Sequence, residues 1–213
     1  MRFDEVLARL SHLPEPLPAP PRAIDPVVVG RLDDLPPWVR RGARSSRRAA
    51  ALVLLYPGAD GEAHVVLTER PAGDLRHAGQ ISLPGGAADA GDDFPVGTAL
   101  REAREEVGFD AAASGVRTLG VLETVEVRVS GFLLVPVLGV IDHEPALTAD
   151  AREVAAILHV PVATFLPASP IEVVETERDG YRLRFGAYVF AGHRIWGATA
   201  RVLGQLGAVL VGD

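Results

Sequence analysis

The sequence predicts an α/β fold in which a mixed β-sheet lies between helices, and three observations predict it. The Val- and Leu-rich segments "AAALVLLYP" and "EAHVVLTER" flank the turn-forming "GADGE", which reads as a β-hairpin. The segment "FPVGTALREAREEVGF" then carries apolar residues at helical spacing. Further alternating segments lead to a second helical stretch at the C-terminus. That order, β-β-β-α-β-β-α with a closing helix, layers helices on a sheet.

Taken in chain order, residues 1–45 open with a short helix, "FDEVLARLSHL", and continue into the Pro-rich "PEPLPAPPRAIDP" and the Arg-rich "RRGARSSRR". Proline at that density gives an extended arm and not a second domain. The remaining residues, 46–213, read as one domain. After the first hairpin, "GQISLPGG" is a short strand running into a glycine turn. "VRTLGVLETVEVRVSGFLLVPVLGVI" supplies two or more strands, and "DAREVAAILHVPVATFL" a helix or turn ending in the strand-like "HVPV". A hairpin turning at Asp179-Gly180 follows, and the C-terminal helix begins near Trp196. That helix is apolar enough to bury against the sheet or against a second subunit, so a homodimer is one expectation.

Composition removes several functions. The chain has 213 residues, 48% of them hydrophobic, and a net charge of -7. A phosphate-backbone binder needs a basic footprint, so nucleic acid is not the expected partner. There is no cysteine, hence no thiolate nucleophile, disulfide framework or Cys-ligated zinc. The 21 Lys and Arg residues are all Arg, which excludes a P-loop lysine and Schiff-base chemistry. The six histidines are scattered without metal-ligand spacing, the start lacks the apolar core of a signal peptide, and the apolar runs are too short or too broken to span a bilayer. These features point to a soluble, cytoplasmic protein with no membrane partner.

The helical segment concentrates charge. Val96, Ala99, Leu100, Ala103 and Val107 form its buried stripe, with Asp93 as the expected N-cap and Gly108 as the C-terminal stop. At about 100° per residue, Glu102, Glu105 and Glu106 fall within an arc of roughly 100° beside that stripe. Like charges there repel unless a cation sits between them, and a divalent metal answers that need.

In this setting "PGGAADAGDDFPVGTALREAREEVGF" resembles the Nudix box. The match runs from Arg101 and Glu102 through Glu105, Glu106 and Gly108 to Phe109. Asp93 stands where the family has Glu, and the Gly-Gly pair lies one residue further from the helix. The stretch before it, "VLTERPAGDLRHAGQISLPGG", is similar to the signature of the coenzyme A pyrophosphatase branch. Leu67, Thr68, Arg70, Gly79 and Pro84-Gly85-Gly86 match, while Leu83 replaces a Phe and Arg76 is displaced by one position.

The resemblance implies the Nudix fold, an α/β/α sandwich with a mixed β-sheet, and a pyrophosphatase using Mg²⁺ or Mn²⁺. It implies coenzyme A or its thioesters as substrate, with ADP-ribose, NADH or another nucleoside diphosphate derivative as the alternative, and a non-catalytic nucleotide-binding module as a remoter one. By the resemblance Glu102 and Glu106 are the chief metal ligands, Glu105 binds a second ion, and the carbonyl of Gly85 or Gly86 adds a ligand. Glu105 or Glu153 is the expected general base. Arg101 is expected to pair with Asp93, or with Asp92 in its place, and brace the loop. Arg70 is expected to grip a phosphate, and Arg76 and His77 to reach the 3′-phosphate of coenzyme A. Trp196 and Tyr181 are candidates for stacking on adenine or for core packing.

Overall fold

The computed structural model describes residues 1–29, 47–72, 79–127, 130–178 and 181–212. In chain order it contains α1 (Phe3–Leu10), β1 (Val27–Val28), β2 (Arg47–Pro57), β3 (Ala63–Glu69), β4 (Ile81–Ser82) and β5 (Gly85–Ala87). There follow α2 (Val96–Val107), the short α3 (Ala111–Ser114), β6 (Arg117–Val121), β7 (Val125–Val127), β8 (Phe132–Val140) and β9 (Ala156–Pro161). The chain closes with β10 (Glu172–Arg178), β11 (Tyr181–Phe190), β12 (His193–Ile195) and α4 (Gly197–Val211).

The main sheet has the order β4-β3-β2-β8-β6, with β5 also on β2, β7 on β8 and β9 on β3. Strands β2 and β8 pair in parallel; the other pairings are antiparallel. The sheet is therefore mixed, as its sequence order requires. A smaller antiparallel sheet joins β1, β11 and β10, with β12 on β11.

Strand β2 explains the layering. Residues 49–56 are all buried, which is why the sequence there is a continuous apolar run and not an alternation. Ala51, Val53 and Leu55 face one core with Val6, Leu10, Leu203 and Leu206. Ala50, Leu52, Leu54 and Tyr56 face the other, with Ala99, Ala103 and Val107 of α2. Helices thus cover both faces, giving the expected α/β/α arrangement.

Local structure departs from the sequence reading at the glycine pair. Gly85 and Gly86 are not a turn: they pair with Ala51 and Ala50 as β5. Small side chains on both strands allow this close approach. Of the helix or turn expected before "HVPV", the structure has the turn, at 151–153, with β9 starting at Ala156, and Val162–Phe165 forms a 3-10 helix. The proposed hairpin turn at Asp179-Gly180 lies outside the described residues, but β10 and β11 pair as a hairpin up to Arg178 and Tyr181.

The N-terminal arm enters the core through Phe3, Val6, Leu10 and Ile24. Helix α4 is buried within this single chain over most of its length. A Cβ at Gly207 would lie 1.9 Å from the Phe165 carbonyl oxygen, so only glycine lets α4 seat so closely. Among the described residues no helix is long and apolar enough to cross a membrane.

Candidate active site

The site is assembled where α2 passes under β5. Gly108 ends α2 in the left-handed region at φ +67°, its N–H donating to the carbonyls of Ala103 and Arg104. At the other end the expected cap is corrected. Pro95, not Asp93, occupies the N-cap position, and no side chain caps it. Asp93 contributes its backbone carbonyl, which accepts from Gly97 N–H.

Asp92 takes the bracing role for which Asp93 stood first. Its Oδ2 accepts from Thr98 Oγ1 at 2.8 Å and from Arg101 Nη2 at 3.1 Å, and Arg101 Nε donates to Oδ1 at 3.2 Å. Arg101 Nη2 also donates to the Ala87 carbonyl at 2.9 Å, which ties α2 to β5. These bonds, Arg101 first, hold the Asp92 carboxyl down at about 2. The same guanidinium lies 3.0 Å from a carboxylate oxygen of Glu102 and 3.0 Å from one of Glu105.

The three glutamates differ in exposure. Glu105 is open to solvent, with a side chain 57% exposed, whereas that of Glu102 is only 15% exposed. Glu106 is buried at 4%, and its Oε2 accepts from Gly85 N–H at 3.1 Å. Burial pushes the Glu106 carboxyl up to about 7; the Gly85 hydrogen bond and the charge of Arg70 oppose the rise, and Glu102 and Glu153 add to it. Glu102 is also raised, first by burial and further by Glu105 and Glu153, against the pull of Arg101. Glu153, exposed on the turn before β9, therefore shares an electrostatic site with Glu102 and Glu106. Asp150 links the two segments, its N–H donating to the Glu106 carbonyl while its own carbonyl accepts from Glu153 N–H.

As placed, no three His, Asp or Glu side chains among the described residues stand close enough to hold a metal ion. The donor chemistry nevertheless fits a hard divalent cation, being carboxylate oxygens beside glycine backbone. Gly86 is part of that fit: a Cβ there would lie 2.5 Å from the Glu102 carboxylate, so any other residue would intrude on the oxygens. Burying mutually repelling carboxylates is unfavourable by itself and marks a functional arrangement.

The family follows from comparison of the chain with known proteins. The NUDIX domain model matches residues 46–173, more than half of the chain. The chain belongs to the Nudix hydrolase family. The NudL Nudix hydrolase of Photorhabdus laumondii is 35% identical over 172 residues, covering 81% of this chain and 89% of the relative. That of Cronobacter sakazakii is 34% identical over 185 residues, covering 87% and 93%. Among solved structures, a Nudix hydrolase from M. smegmatis overlays with TM-score 0.47 at 26% identity, covering 55% of this chain and 71% of that one. The chain is accordingly a pyrophosphohydrolase of small nucleotide-derived substrates, in a family that generally uses divalent metal ions.

Other residues of this Nudix hydrolase singled out by sequence are placed as follows. Arg70 follows the end of β3, exposed, its backbone bonded to Gln80 and Gly79, and its charge reaches Glu106. Arg76 and His77 lie outside the described residues. Trp196 stacks on Phe185, whereas Tyr181 starts β11 opposite Arg178. Sequence reasoning missed a polar group at the far end of β2, where Tyr56 Oη hydrogen-bonds His159 Nδ1 and the Tyr56 and His64 rings lie 5.8 Å apart. Histidines 95 positions apart give no spacing signal; only the β3–β9 pairing brings them together.

Proposed function

We propose that this Nudix hydrolase cleaves the pyrophosphate of coenzyme A or its thioesters, releasing 3′,5′-ADP and 4′-phosphopantetheine or its acyl form. The observation that carries the reading is the buried Glu106, bonded to Gly85 of the Pro-Gly-Gly strand and acted on by the charge of Arg70. The two halves of the coenzyme A signature, "LTER" and "LPGG", thereby meet at one carboxylate.

Glu102 and Glu106, with a carbonyl of Gly85 or Gly86, would hold Mg²⁺ or Mn²⁺, and Glu105 a second ion. Such an ion, when bound, neutralises the phosphoanhydride and lowers the pKa of water. The chain supplies the remainder. Arg70 offers forked donors to the non-bridging phosphoryl oxygens. Arg101, fixed by Asp92 and Ala87, keeps α2 in register with β5. Glu105 and Glu153 are exposed carboxylates at the site, and either Glu153, or Glu105 where it holds no ion, would take the proton of the attacking water. A new P–O bond forms from that water as the bridging P–O bond breaks, and the leaving phosphate retains the bond's electron pair.

The test is product analysis with Mg²⁺ or Mn²⁺ on coenzyme A, acetyl-coenzyme A, ADP-ribose and NADH. Fast release of 3′,5′-ADP from the coenzyme A compounds is expected. Preference for ADP-ribose or NADH would overturn the substrate reading and leave the roles of the glutamates intact. Within that assay, Arg70→Ala is expected to weaken coenzyme A more than dephospho-coenzyme A if Arg70 senses the 3′-phosphate; equal losses would restrict it to the pyrophosphate.

A further inference from the structure

The turn that carries Glu153 is tied down on both sides. Before it, Thr148 N–H donates to the Val107 carbonyl and Asp150 N–H to the Glu106 carbonyl, both at 2.9 Å, which joins the chain to the C-terminal end of α2. After it, Val154 is 2% exposed in the cluster that holds Ala99 and Ala103 of α2. Ala155 N–H then donates to the Glu69 carbonyl at 2.8 Å, at the end of β3. Glu153 stands between these anchors, exposed, and its charge reaches Glu102 and Glu106. Among the described residues its carboxylate has no hydrogen-bond or ion-pair partner, whereas that of Glu105 is held by Arg101 at 3.0 Å.

Asp150 shapes the turn. Its carbonyl accepts from Glu153 N–H at 2.9 Å and from Val154 N–H at 2.8 Å, and its Oδ1 accepts from Arg152 N–H at 3.0 Å. The amides of residues 152, 153 and 154 thus converge on one side chain and one carbonyl. An aspartate that accepts from the amide two residues on is a turn-fixing arrangement. The guanidinium of Arg152 closes over the same carboxylate, with Nε 3.0 Å from Oδ1 and Nη2 2.5 Å from Oδ2. These bonds hold the Asp150 carboxyl down at about 2, so it stays ionised near neutrality. Arg152 is engaged there and not by its neighbour Glu153.

We propose that Asp150 is a positioning residue for Glu153, its carbonyl and carboxylate shaping the turn that presents the Glu153 carboxylate to the attacking water. This rests on the reading of Glu153 as the acceptor of the water proton, and it selects Glu153 over Glu105, whose carboxylate is engaged by Arg101. The placement of a proton acceptor governs turnover more than binding. Asp150 itself touches neither substrate nor ion.

The test is kinetic and uses whichever pyrophosphate of the substrate panel is cleaved fastest, so a substrate other than coenzyme A leaves it in force. Glu153→Gln is expected to lower kcat about 100-fold with little change in KM. Asp150→Ala is expected to lower kcat about tenfold, again with little change in KM. Asp150→Asn, which keeps an oxygen for the Arg152 N–H, should recover most of that loss. In the Glu153→Gln background Asp150→Ala should cost nothing further, because both act through one carboxylate. Mn²⁺ affinity by calorimetry should be the same in all of these variants. Thermal melts establish folding; if Asp150→Ala does not fold, Asp150→Glu, which moves the carboxylate out by one carbon, takes its place with the same expectations. A normal kcat in Asp150→Ala, an equal loss in Asp150→Asn, a further loss in the Glu153→Gln background or weakened Mn²⁺ binding overturns the positioning role and leaves the Glu153 reading standing. A normal kcat in Glu153→Gln overturns both, and a chain that cleaves none of the panel removes the reaction and this role with it.

Discussion

The two ends of β2 bury polar groups in opposite ways. At the far end Tyr56, 1% exposed, shares a hydrogen bond with His159, and His64 Nδ1 lies 3.0 Å from the Glu62 carbonyl. An open depression of about 290 Å³ there is rimmed by Asp60 and Glu144. Burial, reinforced by Glu144, drives the Tyr56 phenol well above its ordinary range, so it stays neutral and its neighbours satisfy it. At the near end Ala49–Ala51 admit the glycine strand, and the groups set against it are the carboxyls of Glu102 and Glu106, both raised first by burial and then by neighbouring carboxylates. Neutral polar groups can be buried permanently if they pair. Like charges are kept together when something else is to be bound there.

The largest test of that contrast is Glu106→Gln. It preserves shape and removes the charge, so kcat should fall about 10³-fold while the melting temperature holds or rises, because a repulsion is relieved. A variant with normal activity would remove Glu106 from the site.

Gly86→Ala should come next. Its Cβ would press on the Glu102 carboxylate at 2.5 Å, and overpacking costs about 1–3 kcal/mol. The displaced carboxylate should lower kcat about 100-fold, measured alongside denaturant unfolding. Stability lost with activity retained would make the glycine a packing requirement alone.

A pH series sharpens the comparison further. The Glu106 carboxyl stands near 7 in the fold against an ordinary 4.5, so the folded chain binds this proton more tightly than the unfolded one. Its stabilising effect is complete below about pH 4.5 and is lost as pH rises through about 7. In chelator the melting temperature should fall by about 5 °C between pH 5 and pH 8. Glu106→Gln should remove that slope, and Mg²⁺ should raise the melting temperature more at pH 8 than at pH 5. An unchanged slope in the variant would locate the titration elsewhere.

The smallest effect is expected at the neutral end. Tyr56→Phe gives up one hydrogen bond, about 1 kcal/mol in a melt, and should leave kcat and KM alone. A kinetic change there would mean that the two ends communicate.

The sequence made much of this legible, for reasons that differ by residue. The period of Val96, Ala99, Ala103 and Val107 and the stop at Gly108 located α2, since helix period and left-handed caps are local properties. Arg101 was visible as a brace, but adjacent carboxylates at 92 and 93 are not separable by local rules; the loop path makes Asp92 the partner. Gly85-Gly86 read as a turn because its pairing to β2 is non-local. The field of Glu153 on Glu102 and Glu106 likewise depends on the β3–β9 ladder, which sequence order does not reveal.

The first and last segments of this hydrolase meet. α1 packs on α4, Arg9 donates to the Gly212 carbonyl, Gln205 Nε2 donates to the Pro18 carbonyl at 3.2 Å, Arg201 pairs with Asp25, and β1 adds to β11. Val6 and Leu10 share one buried cluster with Leu203 and Leu206, so that core closes only when segments far apart in sequence come together. The helix that carries Glu102 and Glu106 packs on β2 through the other cluster, whose partners lie much nearer in sequence, so that face of the sheet is the one built from the more local contacts.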